Sequence, residues 1–326
     1  MLRGIWGMDV EYVAFDSFGV KSMCTLFEAG GWRILVDPGV AYEVDSFPMP
    51  LMERLNLARH YKKVIESAAK TADILVITHY HYDHHICERN RRLYGGKTIL
   101  LKDPHHNINR SQRHRAESFL ETVKGLPRAV KIADGKAFKK PGLRIKFSAP
   151  LWHGVKGTNL GYVLSVIIHD GEEKLIYTSD VNGLIEKEAV DLIIRENPDR
   201  LILDGPPTYL LGFIMAYYNL ARSIINIRRV LDETDANQVI LDHHLLRDYR
   251  YPDLFFEVYK HSKLIGKRLE TASECCGEEP AVLRGYRDYG PTKWKSWKRL
   301  EEQNIKAILR RAVENNLISK DWLKMT

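Results

Sequence analysis

Short apolar stretches alternate with glycines in the first part of the chain. Glycines between stretches rich in β-branched and aromatic residues predict turns between strands. Three such strands are predicted, over residues 11–16, 22–28 and 32–37. Apolar residues then recur at helical spacing over residues 50–70, which predicts a helix, and a nearly all-apolar run over residues 73–78 predicts a buried strand.

Strands and helices are predicted to alternate through the rest of the chain. Further strands are predicted over residues 98–101, 129–132, 143–148, 162–168, 174–178, 200–203 and 238–241. Helices are predicted from at or just after Asp83, and over residues 111–123, 184–196 and 212–232. This order predicts an α+β protein with two sheets and helices outside them.

The last residues have a different character. Residues 293–326 include Trp294, Trp297 and several aliphatic residues at helical spacing, which predicts an amphipathic helix that packs on the body. We therefore predict a main domain over residues 1–283 and a basic C-terminal helical extension over residues 284–326.

One segment carries the chemistry. After the predicted strand that ends at Thr78, the chain reads His79-Tyr80-His81-Tyr82-Asp83-His84. His79 and His81 lie on the same side of an extended chain, so both imidazoles can face one metal ion. Histidine nitrogens and a carboxylate at this density are typical of a catalytic zinc or iron site.

The segment resembles the signature of the metallo-β-lactamase superfamily, and the chain is similar to an uncharacterised archaeal family of hydrolases with that fold. The resemblance implies a four-layer αββα sandwich. It also implies His79, His81 and His153 on one metal, Asp83, His84 and His243 on a second, and Asp180 bridging them. Asp37 is expected to support the ligands, and Asp83 and Asp180 are expected to be catalytic as well. Two zinc ions are the expected cofactors, with iron or manganese as alternatives.

Several assignments stay open from the sequence. His244 is the alternative to His243, which is preferred because it falls directly after an apolar strand with Asp242. The segment from Asp204 to Tyr209 is either a loop made rigid by prolines or a wall of the substrate site. His105 and His106 either bind a phosphate or belong to a solvated loop.

The charge distribution and the cysteines limit the range of possible functions. Hydrophobic residues make up 44% of the chain and charged residues 28%, as in a globular protein. Residues 86–115 contain eight Lys and Arg but two Asp and Glu, and residues 284–326 contain eleven and five. A basic stretch beside a metal site favours an anionic substrate. Zinc β-lactamases carry a cysteine among the second-site ligands, whereas here Cys87 lies beyond Asp83 and His84, which argues against antibiotic hydrolysis.

The leading hypothesis is therefore a dinuclear metallohydrolase that cleaves a phosphoester or related ester by attack of a metal-bound hydroxide. One alternative is a nuclease whose basic, Trp-containing C-terminal helix binds RNA or DNA. Another is a non-catalytic or redox metalloprotein. The absence of a long apolar segment predicts a cytoplasmic protein without a membrane partner, and the sequence carries no signal for an oligomeric state.

Overall fold

The computed structural model describes residues 7–86 and 91–325. The first part of the chain contains β1 (Asp9–Phe15), β2 (Val20–Lys21), β3 (Met23–Ala29), β4 (Trp32–Val36), β5 (Ala41–Tyr42), α1 (Leu51–Thr71), β6 (Ile74–Ile77), α2 (Arg91–Tyr94), β7 (Thr98–Leu101), α3 (Arg110–Val123) and β8 (Ala129–Ile132). A first sheet has the order β1-β3-β4-β6-β7-β8, and β2 pairs with β5. From β4 to β8 the paired strands of this sheet are parallel, so their carboxyl ends meet at one edge.

The second part of the chain forms the second sheet. Its elements are β9 (Ala137–Lys140), β10 (Leu143–Phe147), β11 (Leu151–Trp152), β12 (Tyr162–Val163), β13 (Val166–His169), β14 (Lys174–Tyr177), α4 (Lys187–Glu196), β15 (Arg200–Asp204), α5 (Tyr217–Glu233), β16 (Gln238–Asp242), α6 (Tyr251–Leu254), α7 (Phe256–Leu264), β17 (Arg268–Glu270), α8 (Ala272–Cys275), α9 (Ala281–Tyr289) and α10 (Glu302–Glu314). The order is β17-β16-β15-β14-β13-β10-β9, and β11 pairs with β12. The strands β14 to β17 are parallel.

Alternate residues of the strands belong to different layers of the core, as the two-residue period of a strand requires. In β7, Leu100 lies in the cluster between the two sheets, whereas Ile99 packs under α1 and α3. In β15, Ile202 lies between the sheets, whereas Leu201 packs against α4 and α5. Three hydrophobic clusters thus separate four layers, which confirms the predicted αββα sandwich.

Three predicted helix starts were wrong. The helix predicted from at or just after Asp83 does not begin within residues 83–86, where His84 N donates to His81 O (3.0 Å) and closes a turn; Cys87 lies outside the described residues. The helix predicted from residue 184 begins at Lys187. The helix predicted from residue 212 begins at Tyr217, because Gly212 N donates to Met215 O (2.9 Å) and forms a turn before α5.

The C-terminal residues are less helical than predicted. Helix α10 covers only Glu302–Glu314, followed by a 3-10 turn over Lys320–Lys324. The segment before α10 is irregular because its aromatic side chains contact the body: the Trp294 ring lies 3.4 Å from the Arg250 guanidinium, and Trp297 Nε1 donates to Asp253 (3.0 Å). Helix α9 crosses the predicted boundary between residues 283 and 284, and the division into two parts stays a prediction.

None of the helices within residues 7–86 and 91–325 combines the length and apolar character that a bilayer crossing requires.

Candidate metal centre

The predicted ligands lie just beyond the carboxyl ends of strands from both sheets. His79 follows β6 of the first sheet, while Asp180 and His243 follow β14 and β16 of the second. Three residues here have left-handed backbone conformations, with φ of 49° at Asp37, 56° at Ser179 and 61° at His243. Non-glycine residues adopt this region at a cost that the surrounding structure must offset, and such residues concentrate at functional sites.

Asp180 lies between two sets of histidines. Its Oδ2 lies 3.4 Å from His79 Nε2 and 3.2 Å from His153 Nε2. Its Oδ1 lies 3.0 Å from His84 Nε2 and 3.4 Å from His243 Nε2. Each carboxylate oxygen therefore faces a different pair of imidazoles.

The structure brings all seven predicted ligands into two adjoining groups. In the first, the ligand atoms of His79, His81, His153 and Asp180 lie within 4.8 Å of one another, and His153 Nε2 is 3.2 Å from His81 Nδ1. The second contains Asp83, His84 and His243 within the same limit. His244 also lies within 4.8 Å of Asp180 and His243. The roles of these residues as metal ligands stay a prediction.

The donor atoms fit divalent cations. His79 Nε2, His84 Nε2 and Asp180 Oδ1 are buried, and none has a hydrogen-bond partner among the described residues. Their short separations are thus close approaches of misaligned groups rather than hydrogen bonds. Buried polar atoms without partners are rare, and an ion between several that converge on one point would satisfy them. The set of imidazole nitrogens and carboxylate oxygens suits zinc, iron or manganese.

Asp37 lies where the sequence predicted, behind a ligand. It accepts a hydrogen bond from His84 Nδ1 (2.9 Å), which leaves His84 Nε2 facing Asp180. It also accepts from Thr78 N (2.8 Å), Thr78 Oγ1 (2.6 Å) and Tyr177 Oη (2.9 Å), so its carboxylate is fixed. A carboxylate that orients a histidine in this way is a common support of metal sites.

Asp16 gives His243 the same support, and sequence reasoning missed it. Asp16 Oδ2 accepts from His243 Nδ1 (2.7 Å), and its Oδ1 accepts from Arg247 Nε (2.5 Å). Arg247 was also missed; its Nη2 lies 3.4 Å from Asp83 Oδ2 and links the two acidic residues. One feature of the sequence could have indicated Arg247: it follows His243 by four residues, and both belong to one 3-10 turn.

The two histidine sets differ in electrostatics. Burial, together with the nearby His84, lowers the pKa of His79 to about 4, and burial lowers the pKa of His81 well below its usual value. Burial also opposes a proton on His84, but Asp180 and Asp37 outweigh it and raise the pKa of His84 to about 10. Asp16 and Asp180 likewise raise the pKa of His243 in spite of burial. The carboxylates of Asp16, Asp37 and Asp180 thus make the potential at the second set more negative than at the first.

The structure places the residues of the open assignments, while the choice between His243 and His244 stays a prediction. His244 Nδ1 lies 2.9 Å from Asp204 Oδ1, and Asp204 Oδ2 accepts from Asn182 N (2.7 Å). Asp204 is fully buried, and burial and the Asp180 charge raise its pKa to about 7, whereas Pro207 of the same segment lines a groove beside His153. The centre of the Tyr209 ring lies 5.9 Å from the guanidinium carbon of Arg247.

His105 and His106 belong to an exposed loop. Their backbone amides donate to Asp103 Oδ1, and the His106 ring contacts Asp103 Oδ2 at 3.0 Å. This arrangement fits the solvated loop that was one of the two interpretations of these histidines.

This sandwich, with its histidine and aspartate cluster at one edge, defines the metallo-β-lactamase fold. Residues 32–207 match the family model described as the β-lactamase superfamily domain. A UPF0282 protein of Thermococcus gammatolerans is 41% identical over 268 residues, covering 78% of this chain and 88% of the relative. A UPF0282 protein of Methanopyrus kandleri is 39% identical over 293 residues, covering 86% and 98%. The chain therefore belongs to the UPF0282 family of the β-lactamase superfamily.

A solved structure of similar fold is that of CmlA, a diiron β-hydroxylase from Streptomyces venezuelae. It is 15% identical with a TM-score of 0.51, and the match covers 80% of this chain and 52% of that chain. At this identity the likeness concerns the fold alone.

Proposed function

We propose that the chain is a dinuclear metal-dependent hydrolase of phosphoester or related ester bonds. The observation that carries the proposal is the position of Asp180, whose two oxygens face two separate histidine sets at 3.0–3.4 Å. Such a carboxylate suits the bridge between two ions. Unpartnered buried nitrogens on His79 and His84 support the same interpretation.

Each of the two ions would have its own set of ligands. His79, His81 and His153 would hold one ion with Asp180 Oδ2, and the set of Asp83, His84 and His243 would hold the other with Asp180 Oδ1. Two divalent ions supply a water of lowered pKa and stabilise negative charge on the attacked and leaving oxygens. Asp37 and Asp16 keep His84 and His243 oriented, so the site is organised before the substrate binds.

A positive group packed on the segment that carries the first predicted ligands favours an anionic ester. Tyr82 lies between two predicted ligands and is 53% exposed, and the Arg115 guanidinium lies 4.9 Å from its ring centre. Two other basic groups of residues 86–115 are used by the fold: buried Lys102 pairs with Asp134 (2.7 Å), and Lys97 donates to a backbone carbonyl. Hydrolysis breaks the ester P–O bond; water provides the hydroxyl that stays on phosphorus and the proton that leaves with the alcohol.

The nuclease alternative receives less support. Its argument rests on tryptophans in a basic C-terminal segment, which would stack on bases. In the structure, Trp294 and Trp297 contact Arg250 and Asp253, and the Trp322 ring lies 4.9 Å from the Arg222 guanidinium. These rings are therefore engaged with the protein itself.

The test combines metal content with turnover. Protein loaded in turn with zinc, manganese or ferrous iron should contain about two ions per chain by mass spectrometry and should hydrolyse bis(4-nitrophenyl) phosphate. Asp180→Asn should lose at least one ion and lower kcat about 1,000-fold or more, because both sets lose their shared charge.

Glu117→Gln is the matched control, because Glu117 is an exposed carboxylate on α3 away from the cluster. It should keep both metal content and turnover. Equal turnover in wild type and Asp180→Asn would trace the activity to a contaminant. Two bound ions without phosphodiester turnover would contradict the proposed hydrolysis of phosphoesters. Thioesters, lactones and redox substrates would then be tested.

A further inference from the structure

An open groove of about 420 Å³ begins at His153 and leads away from the metal centre. Its volume is within the range of small-molecule sites. The groove lies between residues 153–160, the turn before α5 and the start of α5. Its walls are mainly apolar and include Val155, Leu160, Ile185, Leu210, Ile214 and Met215.

The rim of the groove exposes apolar side chains to water. Ile214 is 69% exposed, Leu160 43% and Val155 39%. Contiguous exposed apolar surface beside polar groups marks a binding site in many proteins. The turn that carries Ile214 is fixed by hydrogen bonds from Gly212 N to Met215 O (2.9 Å) and from Met215 N to Leu210 O (3.1 Å), so the groove is formed without a ligand.

Asn182 provides a buried polar group where the groove meets the metal centre. Its side chain is 4% exposed, and its Nδ2 lies 3.5 Å from His153 Nδ1. Its Oδ1 is buried and has no hydrogen-bond partner in the described part of the chain. When His153 binds an ion through Nε2, its Nδ1 carries the ring proton, and the amide oxygen of Asn182 can accept that proton after rotation of the amide.

We propose that this groove binds the apolar group of the substrate, so that the hydrolysed ester joins an anionic group at the metals to an aliphatic or aromatic group. This inference rests on the proposed function. His153 lies both in the first ligand group and in the groove wall, so one small molecule can contact both places. The concave shape and the volume fit a small apolar group better than a second protein surface, which would need a larger and flatter area.

The experiment measures the binding of methyl-, butyl- and octylphosphonate to the zinc-loaded protein by isothermal titration calorimetry. The phosphonate group probes the metal centre, and the alkyl chain probes the groove. Affinity should rise about threefold to fourfold per methylene until the groove is filled, because each buried methylene adds a nearly constant transfer free energy.

Ile214→Asp should weaken octylphosphonate binding at least tenfold and leave methylphosphonate binding unchanged. Leu264→Asp is the matched control, since Leu264 is 82% exposed at the end of α7, and it should change neither. Equal affinity for all three phosphonates would contradict the binding of the alkyl chain in the groove, and so would an increase of affinity with chain length that persists in Ile214→Asp. Neither result would contradict the metal centre. No binding by any member would instead overturn the proposed function, and the groove with it.

Discussion

At the scale of residues, two predicted ligands are each oriented by a buried carboxylate. His84 donates from Nδ1 to Asp37, and His243 donates from Nδ1 to Asp16. In each histidine the proton on Nδ1 is thereby fixed, and Nε2 is left to face Asp180. The second ion should therefore depend on residues that do not touch it.

Asp16→Asn should weaken binding of the second ion by about 10–100-fold, because the amide removes the negative charge behind His243. The first ion should stay bound, since its ligands do not contact Asp16. Titration of the metal-free protein with zinc in the presence of a competing chelator measures both affinities.

Glu43→Gln is the matched control for Asp16→Asn. Glu43 is also fully buried, and burial together with the Asp16 charge raises its pKa well above the usual value, which favours the neutral carboxyl. Its amide should leave both affinities unchanged. Two ions bound to Asp16→Asn with wild-type affinity would show that the Asp16–His243 pair does not support the site.

The sequence reveals those site residues that directly follow an apolar strand, such as His79 after Ile77 and His243 after Leu241 and Asp242. Their strand signal and their side-chain chemistry are adjacent in the chain. Asp16 also directly follows a strand, β1, but its partner His243 lies 227 residues away and only the fold brings them together. Pairs of this kind require coordinates.

At the scale of elements, α3 supports the segment that carries the first ligands. Phe119 of α3 is fully buried, and its ring lies 5.3 Å from His85 and 6.3 Å from Tyr80. The helical spacing of apolar residues predicted α3 to within one residue at its start, whereas the starts of α4 and α5 were missed. Those two starts are set by local turns, which leave hydrophobic periodicity almost unchanged.

Phe119→Ala should lower the free energy of unfolding by about 3–5 kcal/mol, the usual cost of a cavity left by a buried aromatic ring. It should also weaken binding of the first ion, because His85 and Tyr80 lose their packing beside His79 and His81. Urea unfolding followed by circular dichroism measures the first effect. Glu117 is exposed on the same helix, so the free energy of unfolding of Glu117→Ala should stay within about 0.5 kcal/mol of wild type. An equally small change in Phe119→Ala would contradict the role given to α3.

At the scale of the whole molecule, the candidate centre lies where the two sheets meet. His79, His81, Asp83 and His84 follow a strand of the first sheet, whereas His153, Asp180 and His243 belong to the part of the chain that forms the second. The layers themselves were predictable, because strand and helix periods are local. Ions shared between the two halves would connect them at this edge, in addition to the hydrophobic cluster between the sheets.

Removal of the metals should therefore destabilise the whole chain. At a free ion concentration about 1,000-fold above Kd, each site adds about 4 kcal/mol to the free energy of unfolding, because the folded state binds the ion and the unfolded chain binds it weakly. Chelation should lower Tm by several degrees in differential scanning calorimetry, and zinc should restore it. Asp180→Asn, which lacks the shared ligand, should respond much less to chelator than wild type. A wild-type Tm that is the same with zinc and with chelator would mean that the two halves of the sandwich are not joined through metal ions.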